Sequence, residues 1–180
     1  RAVNRLRRML NINGASALVT GGASGLGEAA ARALGEQGAK VVLMDLEHQA
    51  DKAAKILEDI DGAFMPTDVT DTDQVIAAVE KAKELGPLRA LVNSAGVGWA
   101  TRTIGKDGEY SSAHDLEVFR KVIDVNLNGV MALCTAFRPQ LTNSDAASIV
   151  VIGSTPSFIA TPGQPAYSAS KGALVTLTKS

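Results

Sequence analysis

The chain has 180 residues, 46% hydrophobic and 21% charged, a composition typical of one globular domain with a substantial core. Its formal net charge of −1 gives no electrostatic reason to bind nucleic acid or an anionic membrane, and no apolar run approaches the ~20 residues that cross a bilayer. The single cysteine, Cys134, cannot form an internal disulfide and fits a reducing, cytoplasmic compartment.

Residues 1–8 contain four arginines and no acidic residue, and they precede Met9. We expect a basic extension that is disordered or vector-derived, with a natural start at Met9. The alternative is the tail of an organelle transit peptide, which would be rich in arginine and poor in acids and would place the protein in the mitochondrial matrix. Residues 9–180 are expected to form one domain.

A glycine-rich turn is the most informative stretch. A strand over 15–19 runs into Thr20-Gly21-Gly22-Ala23-Ser24-Gly25-Leu26-Gly27, and a helix over 28–37 leaves it. Glycines in this pattern allow a sharp turn and a close approach of ligand to backbone, and the free N–H groups at the helix start attract a pyrophosphate. A glycine-rich loop without a ligand is the alternative interpretation.

The strand-then-helix unit repeats along the chain. Further strands are predicted over 40–45, 63–67, 88–92 and 148–152. Four further helices are predicted: over 46–60, from a cap at Thr70 or Asp71, over 115–137 with Pro139 as its end, and from Pro165 to Ser180. Residues 98–113 are polar and aperiodic, so we expect an excursion outside the sheet. This alternation predicts an α/β fold with a Rossmann-type, doubly wound parallel sheet.

Two acidic residues follow predicted strands. Asp45 stands 18 positions beyond Gly27, where a carboxylate can accept hydrogen bonds from both adenosine ribose hydroxyls and repel a 2′-phosphate, which favours NAD over NADP. Asp68 could bond the adenine amine while Val69 packs on the ring. Asp68 could instead cap the next helix.

The fourth strand delivers Asn93 and the small residues Ser94, Ala95 and Gly96. Small side chains at this point would let a cofactor lie against the backbone at the carboxyl end of a parallel strand, where open α/β sheets bind ligands.

Four residues could carry proton chemistry. Tyr167 and Lys171 lie one helical turn apart, and an ammonium beside a phenol favours the phenolate, which suits a general acid/base. Ser154 follows the fifth strand and could bond a substrate carbonyl or alcohol. Asn126 falls on the apolar stripe of the long helix, so its amide needs backbone, water or Lys171 as partner. It could also kink the helix and be satisfied internally.

No metal site is expected, because His48 and His114 lack metal-ligand spacing. Cys134 has no histidine partner that would activate it, so we expect it to serve packing.

Taken in order, these motifs resemble the short-chain dehydrogenase/reductase family of the single-domain type. The resemblance implies Tyr167 as proton donor or acceptor, Lys171 as its electrostatic partner and holder of the nicotinamide ribose, and Ser154 as the group that orients a small-molecule substrate. Asn126 would anchor a water that links Lys171 to solvent, and the cofactor would be NAD. The implied cofactor-binding residues are Gly21, Ser24, Gly25, Leu26, Gly27, Asp45, Leu46, Asp68, Val69, Asn93, Ser94, Ala95, Gly96, Tyr167 and Lys171.

Within the family, Asp45-Leu46, the long polar excursion and residues 164–172 are most similar to the type II 3-hydroxyacyl-CoA dehydrogenases of fatty acid metabolism. The alternatives are 3-ketoacyl-carrier-protein reduction with NADPH, disfavoured by Asp45, and a nucleotide-binding fragment without catalysis. Family chains continue past the Tyr167 helix, so the resemblance also implies a C-terminally incomplete fold here and a homotetramer for a full-length protein.

Overall fold

The glycine-rich turn lies at the end of the central strand of a five-stranded parallel sheet. The computed structural model describes residues 11–105, 107–143 and 146–180. The prediction made for residues 1–8 falls outside these ranges.

Strands and helices alternate as the sequence predicts. The strands are β1 (Ser16–Thr20), β2 (Lys40–Asp45), β3 (Gly62–Pro66), β4 (Leu88–Asn93) and β5 (Ser148–Val151). The helices in the described ranges are α1 (Gly25–Glu36), α2 (Ala50–Leu57), α3 (Thr72–Leu85), α4 (Leu116–Ile123), α5 (Gly129–Asn143) and α6 (Pro165–Leu177).

The strand order is β3-β2-β1-β4-β5, which confirms the predicted Rossmann-type fold class. Strand β1 pairs in parallel with β2 and with β4, so the order reverses beside β1. In a doubly wound sheet this switch point leaves a crevice at the carboxyl ends of the strands, where ligands bind. Every residue of β1 is buried, as expected of a strand covered on both faces.

Several element boundaries differ from the predictions. Helix α1 begins at Gly25, three residues earlier than predicted. The predicted helix over 46–60 is shorter, with a 3₁₀ turn before α2. The side chain of Asp71 caps α3 by accepting from the backbone N–H groups of Asp73 and Gln74, so Thr70 is not the cap.

The long helix predicted over 115–137 is interrupted. Helix α4 passes into a π-helical turn over Asp124–Asn128, and α5 continues from there. Pro139 was predicted to end the helix but lies inside α5. The helix continues past Pro139 to Asn143, and in this last turn the Thr142 hydroxyl donates to the Pro139 carbonyl at 3.1 Å.

The chain divides into two compact units. The first unit contains the described residues up to Ala95 together with Ala132–Val150, and the second contains Gly96–Met131 and Val151–Ser180. The predicted domain boundaries stay a prediction.

Candidate active site

In the first unit, two glycines of the turn leave no room for a side chain. A Cβ at Gly27 would lie 2.0 Å from the Gly21 carbonyl oxygen, and one at Gly21 would lie 3.1 Å from the Ala95 backbone. Gly25 is different, because no atom lies within 4 Å of its Cβ position. Its φ of +56° is a conformation that favours glycine. The turn is therefore closed towards the protein and open at Gly25.

The open side of the turn is also the N-terminus of α1. The first helical hydrogen bond runs from the Glu28 N–H to the Ser24 carbonyl at 3.1 Å, so the N–H groups before it belong to the helix terminus. The Ser24 side chain does not cap them. Leu26 is 68% exposed beside them. Free N–H groups and the helix dipole together favour an anion here.

Asp45 is tied to the same turn. Its Oδ2 accepts a hydrogen bond from the Ala23 N–H at 3.1 Å, and its Oδ1 accepts one from the Leu46 N–H at 2.9 Å. The carboxylate thus joins the end of β2 to the glycine turn, a structural role that the sequence did not reveal. Its predicted contact with a ribose stays a prediction, as does the cofactor contact of the half-exposed Leu46.

A buried threonine holds the ends of β1 and β4 together. The Thr20 Oγ1 accepts from the backbone N–H groups of Ser94 and Ala95, both at 3.0 Å. Sequence reasoning missed this role. The available signal was a hydroxyl at the last position of an otherwise apolar buried strand.

Asn93 is the strongest sign of a ligand in the first unit. The residue is 2% exposed, yet within the described part of the chain neither Oδ1 nor Nδ2 has a hydrogen-bond partner. Buried amides are nearly always paired, so this amide is placed to bond a polar group that enters from outside. The open Gly25, the free helix terminus and the orphaned amide fit a dinucleotide.

The end of β3 shows a different arrangement. Asp68 is exposed, and its Oδ1 accepts from both the N–H and the hydroxyl of Thr70, at 2.9 and 2.7 Å. The interpretation of Asp68 as the cap of the next helix is wrong, because Asp71 is the cap. Val69 is buried, and the adenine contacts of both residues stay predictions.

In the second unit, Asn126 is completely buried in the π-helical turn. Its Oδ1 accepts from the Val97 N–H at 2.8 Å, and its Nδ2 donates to the Val97 carbonyl at 2.9 Å and to the Ser170 hydroxyl at 3.1 Å. The expected backbone partner and the expected irregularity of the helix therefore occur together.

Helix α6 carries Tyr167 and Lys171 on one face. The Lys171 Nζ lies 5.8 Å from the centroid of the Tyr167 ring and donates to the Ile152 carbonyl at 2.8 Å. Lys171 is 5% exposed, and burial lowers the pKa of its ammonium. The structure thus brings together the two residues predicted for proton transfer.

Ser154 lies three residues beyond the end of β5, which is shorter than the predicted strand over 148–152. It begins a short 3₁₀ turn, and its backbone N–H donates to the Ser157 hydroxyl at 3.2 Å. Helix α6 packs against this turn. The contact of Ser154 with a substrate stays a prediction.

His114 is half-buried. Its ring packs edge-on against Phe119 at a centroid distance of 5.9 Å. Among the described residues no cluster of three or more His, Cys, Asp or Glu side chains could hold a metal ion. No helix within those same ranges has both the length and the apolar character needed to cross a membrane.

Comparison with known proteins places these features in a family. A family model described as short chain dehydrogenase matches residues 15–180. The 3-hydroxyacyl-CoA dehydrogenase type-2 of Bos taurus is 39% identical over 180 residues, with 93% of this chain and 66% of the bovine protein covered. The galactitol 2-dehydrogenase (L-tagatose-forming) of Cereibacter sphaeroides is 34% identical over 176 residues, with 96% of this chain and 66% of that protein covered.

A solved structure shows the same likeness. It is a proposed NAD(P)-dependent gluconate 5-dehydrogenase from Beutenbergia cavernae with NADP bound at low occupancy. The TM-score is 0.80 at 27% identity, with 94% of this chain and 66% of that chain covered. This chain spans slightly less than two thirds of the length of these relatives. Because the family match runs over 15–180 and the relatives agree with it, the chain belongs to the short-chain dehydrogenase/reductase family.

Proposed function

We propose that this chain comes from a nicotinamide-dependent oxidoreductase that interconverts a secondary alcohol and a ketone, with Tyr167 as general acid/base. The observation that carries the proposal is the buried Lys171 ammonium, one helical turn from Tyr167 and 5.8 Å from the centroid of its ring. A cation held there in a site of low dielectric constant stabilises a phenolate more strongly than it would in water.

The residues of this chain then have distinct tasks. The Tyr167 hydroxyl takes the proton of the alcohol during oxidation and returns it to the ketone oxygen during reduction. The hydroxyl of Ser154 bonds the same substrate oxygen and fixes its orientation. Asn126 anchors the water that links Lys171 to solvent. When bound, the nicotinamide ring supplies or takes up the hydride.

The first unit supplies the dinucleotide contacts in this proposal. The open N-terminus of α1 holds the pyrophosphate, with Gly21, Ser24, Gly25, Leu26 and Gly27 as its surroundings. The Asn93 amide, which lacks partners among the described residues, bonds a polar group of the cofactor.

NAD is the proposed cofactor. A carboxylate at Asp45 would repel a 2′-phosphate, and no Lys or Arg stands in the glycine turn or at position 46. The related structure from Beutenbergia cavernae holds NADP, and the ratio of kcat/KM for NAD to that for NADP measures the preference of this protein.

The proposed substrate is a 3-hydroxyacyl-CoA. This follows from the likeness to the bovine 3-hydroxyacyl-CoA dehydrogenase type-2 and from Asp45-Leu46 and residues 164–172. We further propose that the full-length protein is a homotetramer.

The decisive experiment measures NADH formation from 3-hydroxybutyryl-CoA by the full-length protein and its Tyr167→Phe variant. Loss of the phenolic oxygen should lower kcat about 10²–10⁴-fold, the usual size of general acid/base catalysis, while the variant still binds NADH through the other cofactor-binding residues. Tyr110→Phe is the matched control, because Tyr110 is the other tyrosine and is 89% exposed.

Other outcomes separate the alternatives. If the protein reduces a 3-ketoacyl carrier protein with NADPH and does not turn over acyl-CoA, the proposed substrate is wrong and the carrier-protein alternative is supported. NADH binding by the unmodified protein without turnover of any alcohol or ketone tested would contradict the proposed activity and indicate a nucleotide-binding protein.

A further inference from the structure

Ser170 lies inside α6 between the two residues proposed for proton transfer, and it is completely buried. Its Oγ donates to the Tyr167 carbonyl at 2.8 Å and accepts from the Asn126 Nδ2 at 3.1 Å. The hydroxyl therefore joins the helix that carries Tyr167 to the π-helical turn that carries Asn126.

The direction of these bonds fixes the Asn126 amide. A carbonyl can only accept, so the Ser170 proton is committed to Tyr167 and its oxygen must accept from Asn126. One Nδ2 hydrogen thus goes to Ser170 and the other to the Val97 carbonyl. The Val97 N–H donates to the amide oxygen, so a flipped amide would place its oxygen against the Val97 carbonyl and an N–H against the Val97 N–H. Ser170 supplies the third bond, which takes up the remaining Nδ2 hydrogen.

The amide orientation decides what faces Lys171. A Cβ built at Gly96 would lie 3.3 Å from the Asn126 Oδ1 and 3.8 Å from the Lys171 Nζ. The amide oxygen and the ammonium therefore border one small space beside the Gly96 α-carbon. A flipped amide would present N–H groups there, next to a cation.

We propose that Ser170 is a positioning residue, which together with the Val97 backbone holds the Asn126 amide so that its oxygen borders the space beside the Lys171 ammonium. The inference rests on the proposed function, in which Lys171 and Asn126 serve the proton transfer of Tyr167. Ser170 itself touches neither substrate nor cofactor in this proposal, and acts through Asn126.

Ser170→Ala in the full-length protein tests the proposal. The variant leaves one Asn126 N–H without an acceptor and holds the amide by two bonds instead of three, so kcat should fall about tenfold. KM for cofactor and substrate should change less than about twofold, since ground-state contacts are kept. Thr176→Ala is the matched control, because its hydroxyl also donates to the carbonyl three residues earlier, at 2.9 Å, but is exposed.

A double-mutant cycle with Asn126→Ala gives the sharper readout. If Ser170 acts through Asn126, adding Ser170→Ala to the Asn126→Ala protein should change kcat less than about twofold. A full additional tenfold loss there would overturn the inference, as would a Ser170→Ala effect confined to KM.

A pair of variants of equal shape covers the case in which Ser170→Ala does not fold. Ser170→Thr keeps the hydroxyl and should retain most of kcat, whereas Ser170→Val lacks it and should not. Equal kcat values in that pair would contradict the inference. An active Tyr167→Phe protein would instead contradict the proposed function, so the two failures can be told apart.

Discussion

Lys171 places an ammonium where little water reaches it, and the consequence is a dependence of stability on pH. Burial lowers its pKa below the ordinary 10.5. Between the folded-state value and 10.5 the unfolded chain binds more protons at this group, so its contribution to the free energy of unfolding rises with pH. The cost of the buried charge is fully present below that window.

Lys171→Met should therefore stabilise the protein relative to the parent by an amount that shrinks as the pH rises towards 10.5. Urea unfolding of both proteins at several pH values measures this difference. Cys134→Ala is the control with the opposite sign. Burial raises the pKa of the Cys134 thiol above 9.0. Above pH 9.0 the contribution of this thiol to the free energy of unfolding of the parent therefore falls, so the stability of Cys134→Ala relative to the parent should rise with pH. A Lys171→Met difference that is constant with pH would contradict the prediction.

Asp45 combines a structural bond with a charge, and the two can be separated. Asp45→Asn keeps an oxygen that can accept from the Ala23 N–H but removes the charge that would repel a 2′-phosphate. The ratio of kcat/KM for NAD to that for NADP should fall at least about tenfold. Asp73→Asn removes the same charge at an exposed position in α3 and should leave the ratio unchanged. An unchanged ratio in Asp45→Asn would exclude the charge as the source of any preference.

At the scale of elements, the start of α3 depends on one carboxylate. The Asp71 Oδ1 accepts from the N–H groups of Asp73 and Gln74 at 3.0 and 3.1 Å. Asp71→Ala should lower the free energy of unfolding by about 1 kcal/mol, the usual cost of losing an N-cap. Chemical denaturation measures it, and Asp71→Ser, which can still cap, should recover most of the loss. Thr70→Ala should lower the free energy of unfolding by less than Asp71→Ala. A larger loss in Thr70→Ala would contradict the assignment of Asp71 as the N-cap.

The elements predicted best are those whose pattern depends only on burial. Strand β2 was predicted with its observed ends because an apolar run closed by an acid needs no knowledge of distant residues. The long helix was predicted less well, because a period of 3.6 residues cannot show a π-helical turn. The one sign of that turn in the sequence was the polar Asn126 on the apolar stripe. The prediction from Pro139 was wrong, because proline removes only one helical N–H and the helix continues to Asn143.

The sequence suggests which residues belong to the candidate site, but it does not show their hydrogen bonds. Thr20 bonds a backbone N–H 74 positions away, and Asn126 bonds a hydroxyl 44 positions away. Such pairs depend on the packing of strands and helices, so a single sequence shows neither the support that Thr20 gives to β4 nor the link through Ser170.

At the scale of the whole molecule, burial predicts where the fold opens last. All of β1 is buried, as are the four inner residues of β2, whereas β3 at the end of the strand order is half-buried throughout or exposed. Amide hydrogen exchange in the full-length protein should therefore be slowest in β1 and β2 and faster in β3. Mass spectrometry of peptic fragments measures this order. Equal rates in the three strands would indicate that the sheet opens only as one cooperative unit.

The distance of 2.0 Å between a Cβ at Gly27 and the Gly21 carbonyl oxygen also bears on inheritance. Every nucleotide change that alters the amino acid encoded by a glycine codon adds at least a methyl group, and here even a methyl group collides with backbone. Descendants of this gene are therefore confined to synonymous drift at that codon for as long as the turn is kept. Gly98, with open space around its Cβ position and no left-handed φ, is under no such confinement.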